Sequence, residues 1–240
     1  MRFDDIWIAG TGGTLGDLVP IENAIADGSY SADVAKATGM VSVSQSAQAG
    51  PEMAVVAGRE AIKEAAERGV EIAPDTLHLH SHANYQGIDV WPVASWIAKE
   101  LIGTKLEGQP TVVSAASNGS LTSLELAANT LLAGQRDTAL ITIGDRFAEP
   151  VDRWYLSPGM VFGDGGAAAV VTRGSGVLQL RSIVTETDTA LEGLSRGDEP
   201  FTRPRSANRT CASAPGSSSP TAACRSATCA GAPVTARRAS

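Results

Sequence analysis

Cysteine is missing from the chain until Cys211, and only Cys224 and Cys229 follow it. An odd number of cysteines confined to one end excludes a disulfide framework for the bulk of the protein. These cysteines have no histidine among them and no paired CxxC spacing, so a zinc site there is not expected either. Histidine is equally scarce, with His78, His80 and His82 the only three in 240 residues. No apolar run approaches the length of a membrane helix. The opening "MRFDDIWIAGTGG" lacks the basic start and apolar core of a signal peptide, so a soluble, cytoplasmic protein is expected. Acidic residues are absent after Glu199. The net charge of −7 argues against nucleic acid or an anionic membrane as the main partner.

That charge divides unevenly. All 26 acidic residues and 13 of the 19 basic ones precede residue 201, a balance of −13, whereas residues 201–240 carry six arginines and no acid. The only large hydrophobes in this last segment are Phe201 and Val234, between stretches such as "SAPGSSSP". So little apolar surface does not offset the entropy of ordering a chain, and a disordered tail is expected over 201–240. Its Arg/Ser/Ala/Pro/Cys mixture is also what a GC-rich reading frame out of register would give.

The first 200 residues alternate helical and strand patterns. "IWIAGTGGTLG" begins as a strand and breaks into glycines. A G-x-G-x-x-G fingerprint laid on Gly10 ends on Leu15, and "GDLVPIENA" does not continue as a helix, so a dinucleotide site is not favoured. From Pro51, residues Ala54, Val55, Ala57, Gly58, Ala61, Ile62 and Ala65 recur at helical spacing, with Gly69 as a stop. "DTLHLHSH" alternates as a strand, and "WPVASWIAKELIG" reads as a helix with Pro92 near its start. "TVVSAAS" is a short strand. Residues 119–134 form a helix with Leu121, Leu124, Ala128 and Leu131 on one face, and "DTALITIGD" is a strand apolar enough to be covered on both sides. Strand-rich segments follow over 160–173 and 176–187. Together these predict a layered α/β fold without solenoid repeats.

Three places in this pattern carry chemical potential. Ser117 lies in "SAASNG", on the turn between a strand and a helix. There a hydroxyl could face the positive end of the helix and its N–H groups, which suits a nucleophile; the pattern alone favours the plainer reading, that Ser117 or Asn118 is a helix cap. The three histidines share one strand face and suggest either a satisfied polar row or a base, with a metal site disfavoured because one strand makes an awkward tetrahedral donor set. His82 stands out because the strand gives way to a loop there. "FGDGGAAAVV" reads, on its own, as a glycine turn leading into a strand.

Taken together, "VSAASNGSLTSLELAANTLLAG", "VFGDGGAAAVV" and "LHLHSHANYQGIDVWPVASWIA" resemble segments of the thiolase-like superfamily, most closely the β-ketoacyl-acyl-carrier-protein synthase III group. The first is similar to that group's nucleophile segment, the second to its "FGDGAGAAVL" signature. The wording "HSHxxxQGxDxWP" resembles the polyketide branch of these enzymes. The resemblance runs over about residues 1–200.

It implies a five-layer αβαβα fold of two similar halves, largely only the first being present here. Residues 1–185 would form that N-terminal half, 186–200 the start of a truncated second half, and 201–240 the tail. It further implies an acyltransferase that takes an acyl group from acyl-CoA or an acyl-carrier protein onto the residue at the helix N-terminus, in polyketide or fatty-acid biosynthesis. A homodimer is implied, and no cofactor beyond the acyl thioester substrate. The nucleophile position carries Ser117 instead of Cys, as in starter-unit acyltransferases of the group. The family's catalytic His, with its Asn or Asp partner, comes from the second half, and no His follows His82 here. The base for Ser117 is therefore expected to be absent unless His80 or His82 substitutes, and a non-catalytic partner subunit or an inactive truncated product is the alternative. His82, Asn84, Tyr85, Arg146 and Arg153 are candidate substrate contacts, the two arginines for an anionic donor.

Overall fold

The computed structural model describes residues 1–84, 86–88, 90–148, 151–154 and 160–195. The expected tail over 201–240, and residues 196–200 of the segment before it, lie outside the described residues, as does Tyr85.

The strand pattern at the N-terminus continues further than the sequence suggested. β1 runs Trp7–Leu15, straight through Gly10, Gly12 and Gly13. These glycines are not a phosphate loop. A Cβ on Gly10 or Gly12 would overlap the backbone carbonyl of Ala61 or Ala57 in the helix lying across the strand. Glycine here permits a helix to approach a sheet at backbone distance. β2 (Asp17–Pro20) pairs antiparallel with β3 (Ser42–Gln45) in a small separate sheet. Between them lie α1 (Ile21–Ala26) and α2 (Ala32–Thr38), neither of which the apolar spacing signalled. α2 starts where the Ser31 hydroxyl accepts the Val34 N–H and stops at Gly39 with φ +69°.

α3 (Gly50–Ala66) follows the expected periodicity, burying Met53, Ala54, Ala57, Ala61 and Ala65. Next come β4 (Leu77–Ser81), α4 (Val93–Leu101), β5 (Thr111–Val113), α5 (Gly119–Leu132), β6 (Thr138–Asp145), β7 (Gly165–Thr172) and β8 (Leu178–Gln179). The main sheet has the order β5-β4-β6-β7-β1-β8 and is mixed: β4, β5 and β6 are parallel, and β7 runs antiparallel to both β6 and β1.

Helices cover the two faces of this sheet. On one, α3 packs on Ala9, Leu140, Ala168 and Val170, with α4 beside it. On the other, Ala127, Ala128 and Leu131 of α5 pack on Leu79, Val113, Ile141 and Val171. β6 is thus covered on both sides, as its apolar run implied. Leu121, expected on the buried face of α5, is 59% exposed, because that face runs through Gly119, Ser123, Ala127 and Leu131 and Leu121 lies about half a turn round from it. Among the described residues, no helix is long and apolar enough to cross a membrane.

Candidate active site

β4 and β5 are parallel neighbours whose last residues, Ser81 and Val113, stand in register. The segments that follow therefore leave the same carboxyl edge of the sheet side by side, the place where open α/β sheets present ligand sites. After Val113 the chain makes a tight turn. Ala116 takes φ +45°, a left-handed conformation uncommon for a residue with a Cβ, and residues Ala116–Asn118 form one turn of 3₁₀ helix closed by the Asn118 N–H on the Ala115 carbonyl. α5 begins at once. Its first residue has to be glycine, since a Cβ on Gly119 would stand 2.9 Å from Ser81 Cβ and 3.3 Å from the Val113 carbonyl oxygen. One turn further on, the Ser123 and Ser81 hydroxyls meet at 2.8 Å and fix the helix to β4.

Ser117 sits on this turn and is exposed. Neither Ser117 nor Asn118 caps the helix: no side-chain bond to the first turn of α5 is present, although both residue types favour one. The helix thus begins without a side-chain cap, its Asn118 and Gly119 N–H groups taken up by the Ala115 and Ala116 carbonyls, and beside it a free serine hydroxyl is held out by a strained residue immediately before it. Among the described residues, no side chain forms a hydrogen bond with the Ser117 hydroxyl.

The histidine row takes the other face of the sheet. His78 pairs across β6 with Leu140, on the α3 side, and both His78 Nε2 and His80 Nδ1 lie 3.0 Å from Thr142 Oγ1. His80 Nε2 meets Gln86 Oε1 at 3.2 Å. Burial depresses both rings, His78 to about 3 and His80 to about 4. His82 continues this row, its ring 5.7 Å from that of His80. Ser81, on the opposite face, is the β4 residue that touches α5. The structure therefore keeps His80 and His82 on a different face of the sheet from α5, the helix that follows Ser117.

Depressed histidine pKa values make stability depend on pH. In the folded chain both rings stay neutral well below the ordinary value of 6.5, whereas the unfolded chain protonates them near it. Stability from this pair is complete above pH 6.5 and is lost as pH falls toward 4. Burial raises the pKa of Asp145, against the backbone N–H groups of Ala83 and Asn84 and the nearby His82, so this carboxyl acts in the opposite sense, as one group against two. The melting temperature should fall steeply between pH 6.5 and 4, with roughly two protons taken up on unfolding in that window. Calorimetry across this range checks it, and a flat profile contradicts the neutral histidine row.

Of the other expected contacts, the structure gathers His82, Asn84 and Arg146 at the ends of β4 and β6. His82 Nδ1 donates to the Asn84 carbonyl at 2.7 Å, and Asn84 Nδ2 donates to the Arg146 carbonyl at 2.8 Å. Asp145, which sequence reasoning missed, ties them together by accepting the N–H groups of Ala83 (3.0 Å) and Asn84 (2.8 Å). Arg146 is half-buried and its Nε has no partner among the described residues.

Arg153 is not with them. Its guanidinium, 12% exposed, is taken up by the fully buried Asp164 carboxylate at 3.1 Å and by the carbonyls of Ser44 and Phe162, which leaves it unsuited to an anionic donor. Asp164, the acid of "FGDGG", also accepts the N–H groups of Phe147 and Ser46, both at 2.8 Å. The motif that read as a bare glycine turn thus fastens three separate segments together. A cleft of about 560 Å³ lined by Thr76, His78, Pro110, Thr130 and Arg136 opens at the amino ends of β4 and β5, the opposite end of the sheet from Ser117. Among the described residues, no group of three or more His, Cys, Asp or Glu side chains is placed to hold a metal ion.

Residues 113–189 match the family model of 3-oxoacyl-[acyl-carrier-protein (ACP)] synthase III. No curated protein matches the chain. Among solved structures, ChlB3, described as an acyltransferase, is 32% identical with a TM-score of 0.65, over 72% of this chain and 52% of that one. The priming β-ketosynthase of the R1128 polyketide biosynthetic pathway is 26% identical with a TM-score of 0.60, over 72% of this chain and 51% of that one. The 3-oxoacyl-(acyl carrier protein) synthase III of Xanthomonas oryzae pv. oryzae, at 19% identity, shares the fold with a TM-score of 0.65 over 82% of this chain and 66% of that one. The chain thus spans about half to two thirds of the length of these structures. Its fold is thiolase-like, and the segment that carries Ser117 is similar to that of the synthase III group.

Proposed function

We propose that this chain takes an acyl group from acyl-CoA or an acyl-carrier protein onto Ser117, as an acyltransferase of the synthase III type in polyketide or fatty-acid biosynthesis. The observation that carries the reading is the turn itself: an exposed, uncapped serine, preceded by Ala116 at φ +45° and standing at the N-terminus of α5. In the proposed step Ser117 Oγ attacks the thioester carbonyl and its proton departs. The C–S bond then breaks and the thiolate leaves with a proton, so that an ester remains on Ser117. Backbone N–H groups of the turn, that of Ser117 among them, hold the developing oxyanion. The likeness to an acyltransferase and to a priming ketosynthase supports the class of substrate. His82, Asn84, Tyr85 and Arg146 are proposed to border the substrate, the last against an anionic donor. A cytoplasmic homodimer that needs no cofactor beyond the thioester completes the reading.

One observation favours a non-catalytic role: no base is bonded to the Ser117 hydroxyl among the described residues. A hydroxyl needs such a base, whereas a thiol at a helix N-terminus ionises with less help. Incubation with acetyl- or propionyl-CoA followed by intact-mass measurement separates the two. The acyltransferase reading expects one acyl adduct, abolished in Ser117→Ala, and acylation at least ~10-fold faster in Ser117→Cys. No adduct in either the native protein or Ser117→Cys would sink it for this chain.

A further inference from the structure

The loop that leaves β4 at the same carboxyl edge of the sheet as the Ser117 turn is fastened to the end of β6 by a chain of hydrogen bonds whose direction can be worked out atom by atom. Gln86 is buried, and its Nε2 stands 3.2 Å from the Asn84 carbonyl and 3.1 Å from the Gly144 carbonyl. Both are pure acceptors, so the amide nitrogen must face them and Oε1 must face His80. An amide oxygen cannot donate, so His80 carries its proton on Nε2. Its Nδ1 is then a lone pair and accepts the single hydroxyl proton of Thr142. Thr142 Oγ1 in turn accepts from His78, which is also protonated on Nε2. This leaves His78 Nδ1 as a buried lone pair, and that atom has no hydrogen-bond partner among the described residues. An orphaned acceptor is tolerated more readily than an orphaned N–H. His82 takes the opposite tautomer, because its Nδ1 donates to the Asn84 carbonyl.

Every proton in the series therefore points from the sheet toward two carbonyls, those of Asn84 and Gly144. Gln86 is the only member that reaches both. It ties the buried histidines, the loop at Asn84 and the end of β6 to one another, while Asp145 holds the N–H groups of Ala83 and Asn84 from the other side.

We propose that Gln86 is a positioning residue for the acyl site: its amide sets the Asn84 loop against the end of β6, at the carboxyl edge of the sheet from which the Ser117 turn also leaves, and so fixes the wall that an acyl thioester meets. The role in the acyl site rests on the acyltransferase reading; the role in fixing the loop does not. Gln86→Met keeps the length of the side chain and removes both donors and the acceptor. Thr142→Val breaks the same chain one link earlier and leaves all three Gln86 bonds in place, so it controls for damage to the buried polar row.

The test is NMR on ¹⁵N-histidine-labelled protein, together with amide exchange at Ala83 and Asn84 and the thioester dependence of acylation. The native protein should show Nε2–H tautomers for His78 and His80 and Nδ1–H for His82. Gln86→Met should lose the fixed tautomer of His80 and speed exchange at Ala83 and Asn84 by ~10-fold or more, while Thr142→Val leaves that exchange unchanged. The thioester concentration for half-maximal acylation should rise at least ~5-fold in Gln86→Met, with the maximal rate within about two-fold. A native His80 protonated on Nδ1 overturns the proposal even if Gln86→Met does not fold, and so does equal loop exchange in the two variants. If no protein acylates, the acyltransferase reading fails, while tautomers and exchange still decide whether Gln86 fixes the loop.

Discussion

Gly144→Ala should destabilise the protein strongly. Gly144 lies near the end of β6, where the N-terminus of α3 crosses the sheet, and a Cβ there would overlap the carbonyl oxygen of Gly50 and stand 2.8 Å from its carbonyl carbon. The obstacle is backbone on both sides, so no rotamer change relieves it. Either α3 retreats or the end of β6 bends. α3 carries Met53, Ala54, Ala57 and Ala61 onto β1, β6 and β7, so a retreat opens gaps along the whole interface. The Gly144 carbonyl that Gln86 uses would shift as well. A loss of about 3 kcal/mol or more is expected, seen as a fall in melting temperature of about 10 °C or failure to accumulate as folded protein. Gly108→Ala is the control. Its nearest neighbour is the end of the Arg136 side chain at 3.4 Å, and a change within about 0.5 kcal/mol is expected. Equal stabilities would show that α3 does not lie on the sheet at backbone distance.

Asp164→Ala should be nearly as damaging, for an electrostatic reason. The substitution leaves the Arg153 guanidinium largely buried without its counter-charge and strips the acceptor from the N–H groups of Phe147 and Ser46. Breaking a buried pair from one side typically costs about 3–5 kcal/mol. Asp164→Asn keeps one acceptor oxygen and loses the charge, so its cost should fall between that of Ala and zero. Denaturant unfolding of the three proteins checks the order. If Asp164→Ala matches the native protein, the "FGDGG" aspartate does not hold the segments around residues 44–46, 147 and 153 together.

The parts of this fold that were legible beforehand are those with many residues repeating one rule. α3 repeats small apolar residues at helical spacing, and the middle of β6, residues 139–143, is apolar but for Thr142, so both stood out. α1 and α2 are six and seven residues long and leave no such record; α2 is specified by the Ser31 cap and the left-handed Gly39. The β1 glycines misled for a physical reason. Glycine weakens a strand locally, but here the demand for space under α3 overrides that preference.

The site divides in the same way. Ser117 was visible from its place between a strand and a helix, whereas the absence of a cap bond and the strain at Ala116 required coordinates. Asp145 and Gln86 were missed because the groups that give them meaning, Ala83 and Gly144, lie about 60 residues away along the chain. Arg153 was misread because a surface cation and a buried one look alike until the Asp164 partner is seen.

The central proposal is that the turn after β5 presents Ser117 for acylation. The most direct measurement is the position of the acyl group after reaction of the native protein with acetyl- or propionyl-CoA, read by fragmentation of the proteolytic peptide that spans the turn. The acyl mass should reside on Ser117, and the same peptide from Ser117→Ala should carry none. An acyl group found on another residue, or retained on the Ser117→Ala protein, would contradict the account.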